Sequence, residues 1–382
     1  MILLFLLTRL LAVLSLAIPV GAAWLIWSWR EQHRLADQAG LPEPGDQRLW
    51  IALALITLAL FGRFLILALL ARPGRAAPGS DEGRVEIRGA DGAILSVRTT
   101  GASTGPILVL THGWGLSSRI WADERRALEP HFGVTTWDLP GSGRSGRPKG
   151  RWSLEGFAGD LKAVVESLPA DRPVVLVGHS IGGMTVQTLC GRDVVWAGDR
   201  IAGLVLENTT FHNPLRTMAA SPVFSALQPL IVLVLRLDIA ISPLIWLMNW
   251  QAYLNGSTHL AMRLAGFGSR PAWGDLDLCA RLPTLTSPAV QAHGNLAMIR
   301  WSVAEDLANI RSPTLVFIGE RDLVTRPRAG AAIAQAVPKA RLVSIPGAGH
   351  LGPVEKRADY LRLLTEFAAR HAVVAPDERK GT

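Results

Sequence analysis

The chain has 382 residues and a formal net charge of +8 at pH 7, and 49% of its residues are hydrophobic. This length provides one large domain and an appendage, and the basic residues do not form the lysine- and arginine-rich blocks typical of nucleic-acid-binding proteins. We therefore expect no nucleic-acid partner. The two cysteines, Cys190 and Cys279, are too few for a disulfide framework or a metal-ligand cluster, so we also expect no metal site.

Two long apolar runs open the chain, at residues 2–29 and 49–71, and a polar, turn-rich stretch separates them. Each run is long enough to span a bilayer, and tryptophans near the end of the first run suit a membrane interface. Arg9 can extend its charge toward an interface, whereas Arg63 interrupts the second run. We therefore predict a hairpin of two transmembrane helices in an anchoring region, residues 1–72.

Two other interpretations of these runs stay open. A cleaved signal peptide normally has a basic segment before a shorter apolar stretch, and the first run fits neither feature. Two buried helices of a soluble domain would need a comparably apolar surface to pack against.

In a hairpin, the N-terminus and everything after residue 71 lie on the same side of the membrane. The distribution of arginines slightly favours the cytoplasmic side for the main domain.

A linker and an alternating domain follow the hairpin. Residues 73–84 contain the glycines, prolines and charges of a flexible linker. From residue 85, apolar runs alternate with helical patterns, which predicts an α/β fold with a mostly parallel sheet and helices on both faces. This domain covers residues 85–372, and a flexible tail covers 373–382. The predicted strands are a hairpin within 85–100 and single strands at 106–113, 133–138, 173–179, 201–208, 312–320 and 340–346.

Ser180 lies between the strand predicted at 173–179 and a helix that follows, with Gly178 and Gly182 on either side. A serine at a sharp strand-to-helix turn needs strained backbone angles, and larger neighbours would collide there. The turn places the hydroxyl at the helix N-terminus, where the amide of Ile181 can face a developing oxyanion. Because serine alone is a weak nucleophile, this interpretation requires a histidine base and an orienting acid elsewhere in the chain.

The motif at 178–183, Gly-His-Ser-Ile-Gly-Gly, resembles the nucleophile elbow of the α/β-hydrolase superfamily. Four further motifs are similar to other parts of that pattern and occur in its chain order. They are the oxyanion loop at 111–115, the loop after the fourth strand at 137–148, the acid turn at 319–322 and the histidine loop at 347–350. The resemblance covers residues 85–372 and implies an α/β-hydrolase fold with serine hydrolase activity.

The resemblance also implies a role for each matching residue. The expected residues are Ser180 as nucleophile, His350 as base, Asp322 as the acid that orients it, and the backbone amides of Trp114 and Ile181 as the oxyanion hole. In some members the acid follows an earlier strand. Glu207, at the end of the strand predicted at 201–208, is therefore the alternative acid.

A long segment, about 209–311, separates the strands predicted at 201–208 and 312–320, and in the superfamily such an insertion usually forms a helical cap over the active site. It includes a very apolar stretch at 221–250. Buried cap helices explain this stretch, and an apolar access surface that admits acyl chains or enters the bilayer is compatible with them. A third membrane span fits less well because prolines and charges interrupt it. The residues that we expect to contact an acyl chain are Leu230, Val232 and Leu235.

The sequence thus predicts a membrane-anchored, cofactor-independent serine hydrolase that cleaves a carboxylic ester or a related acyl bond through an acyl-enzyme on Ser180. An apolar acyl or ester substrate and membrane lipid are the expected partners, and the oligomeric state is left open. Thioesterases, amidases, C–C hydrolases and perhydrolases use the same triad, because a fold does not fix a function. A non-catalytic membrane binding protein that keeps the fold is the alternative from another class.

Overall fold

The computed structural model describes residues 2–75 and 82–371, so the predicted tail at 373–382 and half of the linker predicted at 73–84 lie outside the described residues. An eight-stranded sheet forms the centre of the domain. Its strands are β1 (Arg84–Arg88), β2 (Ile94–Gly101), β3 (Ile107–Thr111), β4 (Gly133–Trp137), β5 (Val174–His179), β6 (Ile201–Glu207), β7 (Thr314–Gly319) and β8 (Ala340–Ile345). Their order is β1-β2-β4-β3-β5-β6-β7-β8. Strands β3 to β8 are parallel and the β1–β2 hairpin is antiparallel, so the predicted mostly parallel sheet is confirmed.

Helices cover both faces of this sheet. The helices before the insertion are α1 (Ile2–Ser15), α2 (Ala17–Ala39), α3 (Gln47–Leu70), α4 (Ala122–Leu128), α5 (Leu154–Glu166), α6 (Ile181–Arg192) and α7 (Val194–Arg200). The insertion carries α8 (Ser221–Ala226), α9 (Gln228–Ala240), α10 (Ser242–Leu254), α11 (Ser257–Ala261), α12 (Trp273–Leu285) and α13 (Pro288–Arg300), and the chain continues with α14 (Pro327–Ala336), α15 (Gly352–Glu355) and α16 (Arg357–Arg370). Ser153 caps α5 by accepting the Gly156 N–H at 3.0 Å.

The central strands bury both faces because successive residues alternate between two apolar cores. In β3, Ile107 and Val109 belong to the core covered by α5 and α6, whereas Leu108 and Leu110 belong to the core covered by α4 and α16. This double burial explains why the strands appear in the sequence as continuous apolar runs. Because strands β3 to β8 are parallel, their carboxyl ends, where the candidate catalytic residues lie, meet at one edge of the sheet.

The cap, defined here as α8 to α13, lies between β6 and β7. Helices α9 and α10 meet at an angle of 98°. If these helices only packed within the cap, their apolar side chains would be buried. On their outer sides, however, Leu230 is 55% and Leu247 is 68% exposed. The cap therefore presents a large apolar surface outward.

The first apolar run forms two helices rather than the single helix predicted at 2–29. Pro19 has no N–H for the carbonyl of Ser15, and the helical pattern is interrupted at Leu16. The second part, α2, packs along α3 and continues to Ala39. Two helical segments, Ile2–Ala39 and Gln47–Leu70, are long and apolar enough to cross a membrane by length and composition.

The two arginines of these apolar runs face the cap. The sequence led us to expect that Arg9 extends toward a membrane interface, but the structure shows a different position. Its guanidinium donates to Asp238 Oδ2 at 2.7 Å and to Asn249 Oδ1 at 3.0 Å. Arg63 lies over the ring of Tyr253, with its Cζ 4.9 Å from the ring centroid. The interpretation of the runs as buried helices thus holds for part of α1, which packs on the cap.

The end of α3 is also tied to the cap. The Arg72 N–H donates to Pro271 O at 3.0 Å, and the Trp273 N–H donates to Arg72 O at 2.9 Å. One residue later in the cap, the Gly274 N–H donates to Gly74 O at 3.0 Å. The first described residues of the predicted linker are therefore bound to α12, and the helical hairpin is joined to the α/β domain by direct contacts.

Candidate active site

Ser180 lies at the turn between β5 and α6, with φ of 60° and ψ of −117°. This left-handed conformation is strained for a residue with a side chain. The neighbouring glycines make the turn possible, because a Cβ on Gly178 would lie 2.5 Å from Gly182 O and a Cβ on Gly182 would overlap Thr111 O. The Ser180 N–H donates to Glu207 O at 3.0 Å. The backbone thus fixes the direction of the hydroxyl.

His350, in the loop after β8, joins two of the predicted site residues. Ser180 Oγ lies 2.8 Å from His350 Nε2, and His350 Nδ1 lies 2.9 Å from Asp322 Oδ2. All three side chains belong to residues that are at most 2% exposed. Because the carboxylate only accepts, Nδ1 carries the proton and Nε2 accepts from the serine hydroxyl. Burial lowers the pKa of His350, and Asp322 opposes part of that effect.

Asp322 lies in the turn after β7 and accepts several hydrogen bonds. Its Oδ1 accepts the N–H groups of Val324 at 2.7 Å and Thr325 at 2.9 Å, and its Oδ2 accepts the Thr325 hydroxyl at 2.7 Å. Burial alone would raise the pKa of Asp322, but His350 and these hydrogen bonds outweigh it, so the pKa is lowered. The carboxylate is therefore an anion beside His350 Nδ1, and an anion at this place favours a protonated imidazole.

Glu207, the alternative acid, is buried at the end of β6. Burial raises the pKa of its carboxyl well above the ordinary value, and Glu124 adds to the rise. Its backbone oxygen accepts from Ser180, whereas the bond to His350 Nδ1 is made by Asp322. The geometry therefore brings Asp322, and not the Glu207 side chain, to the histidine.

The loop after β3 passes beside Ser180. A Cβ on Gly113 would lie 3.3 Å from Ser180 Cβ, which shows how closely the two backbones approach. His112 holds the loop, since its Nδ1 donates to Gly113 O at 2.9 Å and its Nε2 accepts the Leu139 N–H at 3.0 Å. Trp114 and Ser180 line the same cavity. This arrangement brings Trp114 beside the serine that directly precedes Ile181.

Each predicted oxyanion residue is held by its own element. The Trp114 indole donates to Gln291 O in α13 at 3.0 Å, which ties the loop to the cap. Ile181 is the first residue of α6, so its amide is among the N–H groups that have no partner inside the helix. An amide at a helix N-terminus suits an oxyanion.

Sequence reasoning missed the residues that hold the histidine loop. Asn208, with φ of 48°, donates from Nδ2 to Gly349 O at 2.7 Å and accepts from the Tyr360 hydroxyl at 2.7 Å. His179 Nε2 donates to His350 O at 2.9 Å. Burial lowers the pKa of His179 to about 3, and His350 adds to the effect, so the ring is neutral. These bonds fix the backbone on which the His350 side chain stands.

A cavity of about 50 Å³ lies over Ser180 and His350. This volume has room for only a few water molecules. Three parts of the chain surround it: the oxyanion loop, the cap through Met262 and Pro283, and helix α1. The residues that α1 contributes are Leu4, Phe5 and Thr8. The sequence of α1 has no local pattern that indicates this contact.

The apolar cap residues expected to contact an acyl chain do not line this cavity. Leu230 points outward, whereas Val232 and Leu235 pack in an apolar cluster that also contains Phe5. That expectation is wrong because α1, which is distant in the sequence, occupies the position between α9 and the catalytic residues.

Neither cysteine is suited to act as a ligand or nucleophile. Both are buried, and burial raises the pKa of Cys190 to about 12 and also raises that of Cys279. Across residues 2–75 and 82–371, no group of three or more His, Cys, Asp or Glu side chains could hold a metal ion.

Comparison with known proteins agrees with this fold. The model of the alpha/beta hydrolase family matches residues 108–377. A pimeloyl-[acyl-carrier protein] methyl ester esterase from Nitrosospira multiformis is 26% identical over 280 residues, which cover 72% of this chain and 98% of the relative. A hydrolase from Pseudomonas aeruginosa is 26% identical with a TM-score of 0.59, over 75% of this chain and 99% of that one. A thermophilic esterase from Thermogutta terrifontis, 24% identical over 76% of this chain and 99% of its own, shares the fold with a TM-score of 0.59. This chain therefore belongs to the alpha/beta hydrolase family and is an enzyme with the α/β-hydrolase fold.

Proposed function

We propose that the protein is a membrane-anchored serine esterase whose nucleophile is Ser180. The observation that carries this proposal is the hydrogen-bonded series from Ser180 Oγ through His350 to Asp322, with distances of 2.8 and 2.9 Å, under a small cavity lined largely by apolar residues. A serine next to a neutral, oriented imidazole has the arrangement needed for acyl transfer.

The mechanism follows from these contacts. Ser180 Oγ attacks the ester carbonyl while His350 Nε2 takes the hydroxyl proton, and the amides of Trp114 and Ile181 bind the resulting oxyanion. Collapse of this intermediate expels the alcohol, which receives the proton from His350. Water then gives a proton to His350 and attacks the acyl-enzyme, and the carboxylic acid leaves as Ser180 is protonated again.

The bond proposed for cleavage is a carboxylic ester. The relative from Nitrosospira multiformis is named for hydrolysis of a methyl ester, and this chain covers nearly all of it. The cavity here is lined mainly by apolar side chains from α1, the oxyanion loop and the cap. An ester with an apolar or lipid-like acyl group fits these walls better than a charged one, because apolar walls do not replace the hydration of a charge.

Membrane anchoring is supported by continuous apolar surface. Large exposed apolar residues occur on α2 and α3 as well as on α9 and α10. Helix α10 contacts both α1 and α3, so the hairpin and the outer cap form one surface. We propose that the hairpin crosses the bilayer, that the outer cap rests in it, and that the hydrolase domain is cytoplasmic.

Labelling with a fluorophosphonate probe tests the nucleophile. The full-length protein in detergent should be labelled, and Ser180→Ala should lose both labelling and ester turnover. Ser167→Ala is the matched control, because Ser167 is an exposed residue at the end of α5. Labelling that persists in Ser180→Ala would show that another residue is the nucleophile.

Cysteine accessibility tests the membrane contact, because the native cysteines are buried. In proteoliposomes, Leu247→Cys should resist a membrane-impermeant maleimide, whereas Val195→Cys, at a position that is 79% exposed on α7, should react. In intact cells Val195→Cys should be protected if the domain is cytoplasmic. The full chain should also remain in the membrane after carbonate extraction. Rapid labelling at position 247 in vesicles would contradict a cap that rests in the bilayer.

A further inference from the structure

Helix α1 separates from the α2–α3 hairpin and enters the hydrolase domain. Ile2 and Phe5 are buried in a cluster with residues of α9 and α13, and Leu4 belongs to the large core that includes Met262. The start of α1 is therefore part of the folded domain, next to the cavity above Ser180.

One face of α1 forms a wall of that cavity. Leu4, Phe5 and Thr8 lie at helical positions i, i+1 and i+4, which share one side of the helix. The Thr8 hydroxyl lies 2.8 Å from Leu4 O and 2.9 Å from Phe5 O, so its hydrogen-bonding need is met inside the helix. Leu10, on another side, is 56% exposed. The wall is thus an apolar surface close to the nucleophile.

Polar contacts hold this wall in place. Arg9 pairs with Asp238 and Asn249 of the cap, and its Cζ lies 5.4 Å from the centroid of the Phe5 ring. One helical turn and a half later, the Ser15 hydroxyl lies 2.9 Å from the side-chain oxygen of Gln251. These bonds fix α1 along its length, so Phe5 has a defined position over the site.

We propose that α1 is a specificity-determining element of the active site, and that its Leu4–Phe5–Thr8 face contacts the acyl chain and limits the length that reaches Ser180. This inference rests on the proposed ester hydrolysis at Ser180. Because the cavity is small, each of its walls limits how many methylenes of an acyl chain can enter. Every methylene that the cavity admits can raise kcat/KM about fourfold through apolar burial. The helix that continues into the anchor thus also selects the substrate.

The test compares full-length variants in detergent on p-nitrophenyl esters from acetate to decanoate. The measured quantity is the ratio of kcat/KM for decanoate to that for butanoate. Phe5→Ala enlarges the cavity and should raise this ratio tenfold or more. Thr8→Leu adds volume to the same wall and should lower it about fivefold. Leu10→Ala, on the exposed side of α1, should leave the ratio within about twofold of the wild-type value.

The outcomes are distinguishable. If the wild-type enzyme hydrolyses esters and carries the fluorophosphonate label, but Phe5→Ala and Thr8→Leu both keep the wild-type ratio, the inference is wrong and the proposed function stands. If the wild-type enzyme hydrolyses none of these esters, the proposed function and the inference fall together. Should thermal unfolding show that Phe5→Ala is not folded, Thr8→Leu decides alone, because it keeps the buried aromatic ring.

Discussion

Replacing Asp322 by asparagine should change which nitrogen of His350 carries the proton. The backbone N–H groups of Val324 and Thr325 donate to Oδ1 of Asp322 at 2.7 and 2.9 Å, so they would keep the asparagine oxygen on their side. The asparagine NH₂ would then face His350 Nδ1, which can only accept from it. The proton would move to Nε2, the atom that lies 2.8 Å from Ser180 Oγ. Such a histidine cannot take the serine proton.

The expected loss is large because the base is blocked rather than weakened. In serine proteases the same change, which also imposes the wrong tautomer, lowers kcat about 10⁴-fold. That factor corresponds to about 5.4 kcal/mol of activation free energy, at 1.36 kcal/mol per tenfold change in rate. Because asparagine has the shape of aspartate and keeps two of its bonds, the fold should be preserved.

The assay is kcat/KM on a p-nitrophenyl ester, with thermal unfolding to verify the fold. Glu207→Gln is the matched control, since its raised pKa makes Glu207 a neutral acid that glutamine resembles closely. We expect this control to keep its activity within about threefold. An Asp322→Asn enzyme that is within tenfold of wild type, or a Glu207→Gln enzyme that is equally impaired, would refute the assignment of Asp322.

Three further outcomes are expected. Because burial lowers the pKa of His350, the base becomes protonated only in more acidic solution, and the acid limb of the pH profile of kcat/KM should lie below the ordinary histidine pKa of about 6.5. An acid limb above about pH 6.5 would contradict this environment. Gly182→Ala should lower thermal stability by about 1–3 kcal/mol and activity more than tenfold, since its Cβ would overlap Thr111 O; unchanged unfolding and turnover would argue against this elbow geometry. Arg9→Met should lower the free energy of unfolding in detergent by about 3 kcal/mol, because Asp238 is then buried without its partner. Adding Asp238→Leu should restore most of the lost stability, whereas additive losses in the unfolding assay would exclude a coupled pair.

Much of the architecture could be predicted from the sequence because its signals are local. Continuous apolar runs indicate strands buried on both faces, and the glycines around Ser180 indicate a sharp turn because the backbone there leaves no room for larger side chains. The motifs that contain Ser180, Asp322 and His350 each follow a strand. Since parallel strands place their carboxyl ends at one edge, the chain order alone suggests that these residues meet.

Tertiary structure decided how these parts face one another. The sequence left Glu207 as an alternative to Asp322, and only the position of His350 Nδ1 distinguishes the two. An apolar helix has no period that separates a lipid-facing side from a protein-facing side, so residues 2–15 could not be recognised as part of the catalytic cavity. Arg9 was the one charged residue in that run, and its partner Asp238 is 229 residues away. Contacts at such separations depend on packing of the whole cap, and no local spacing in the sequence encodes them.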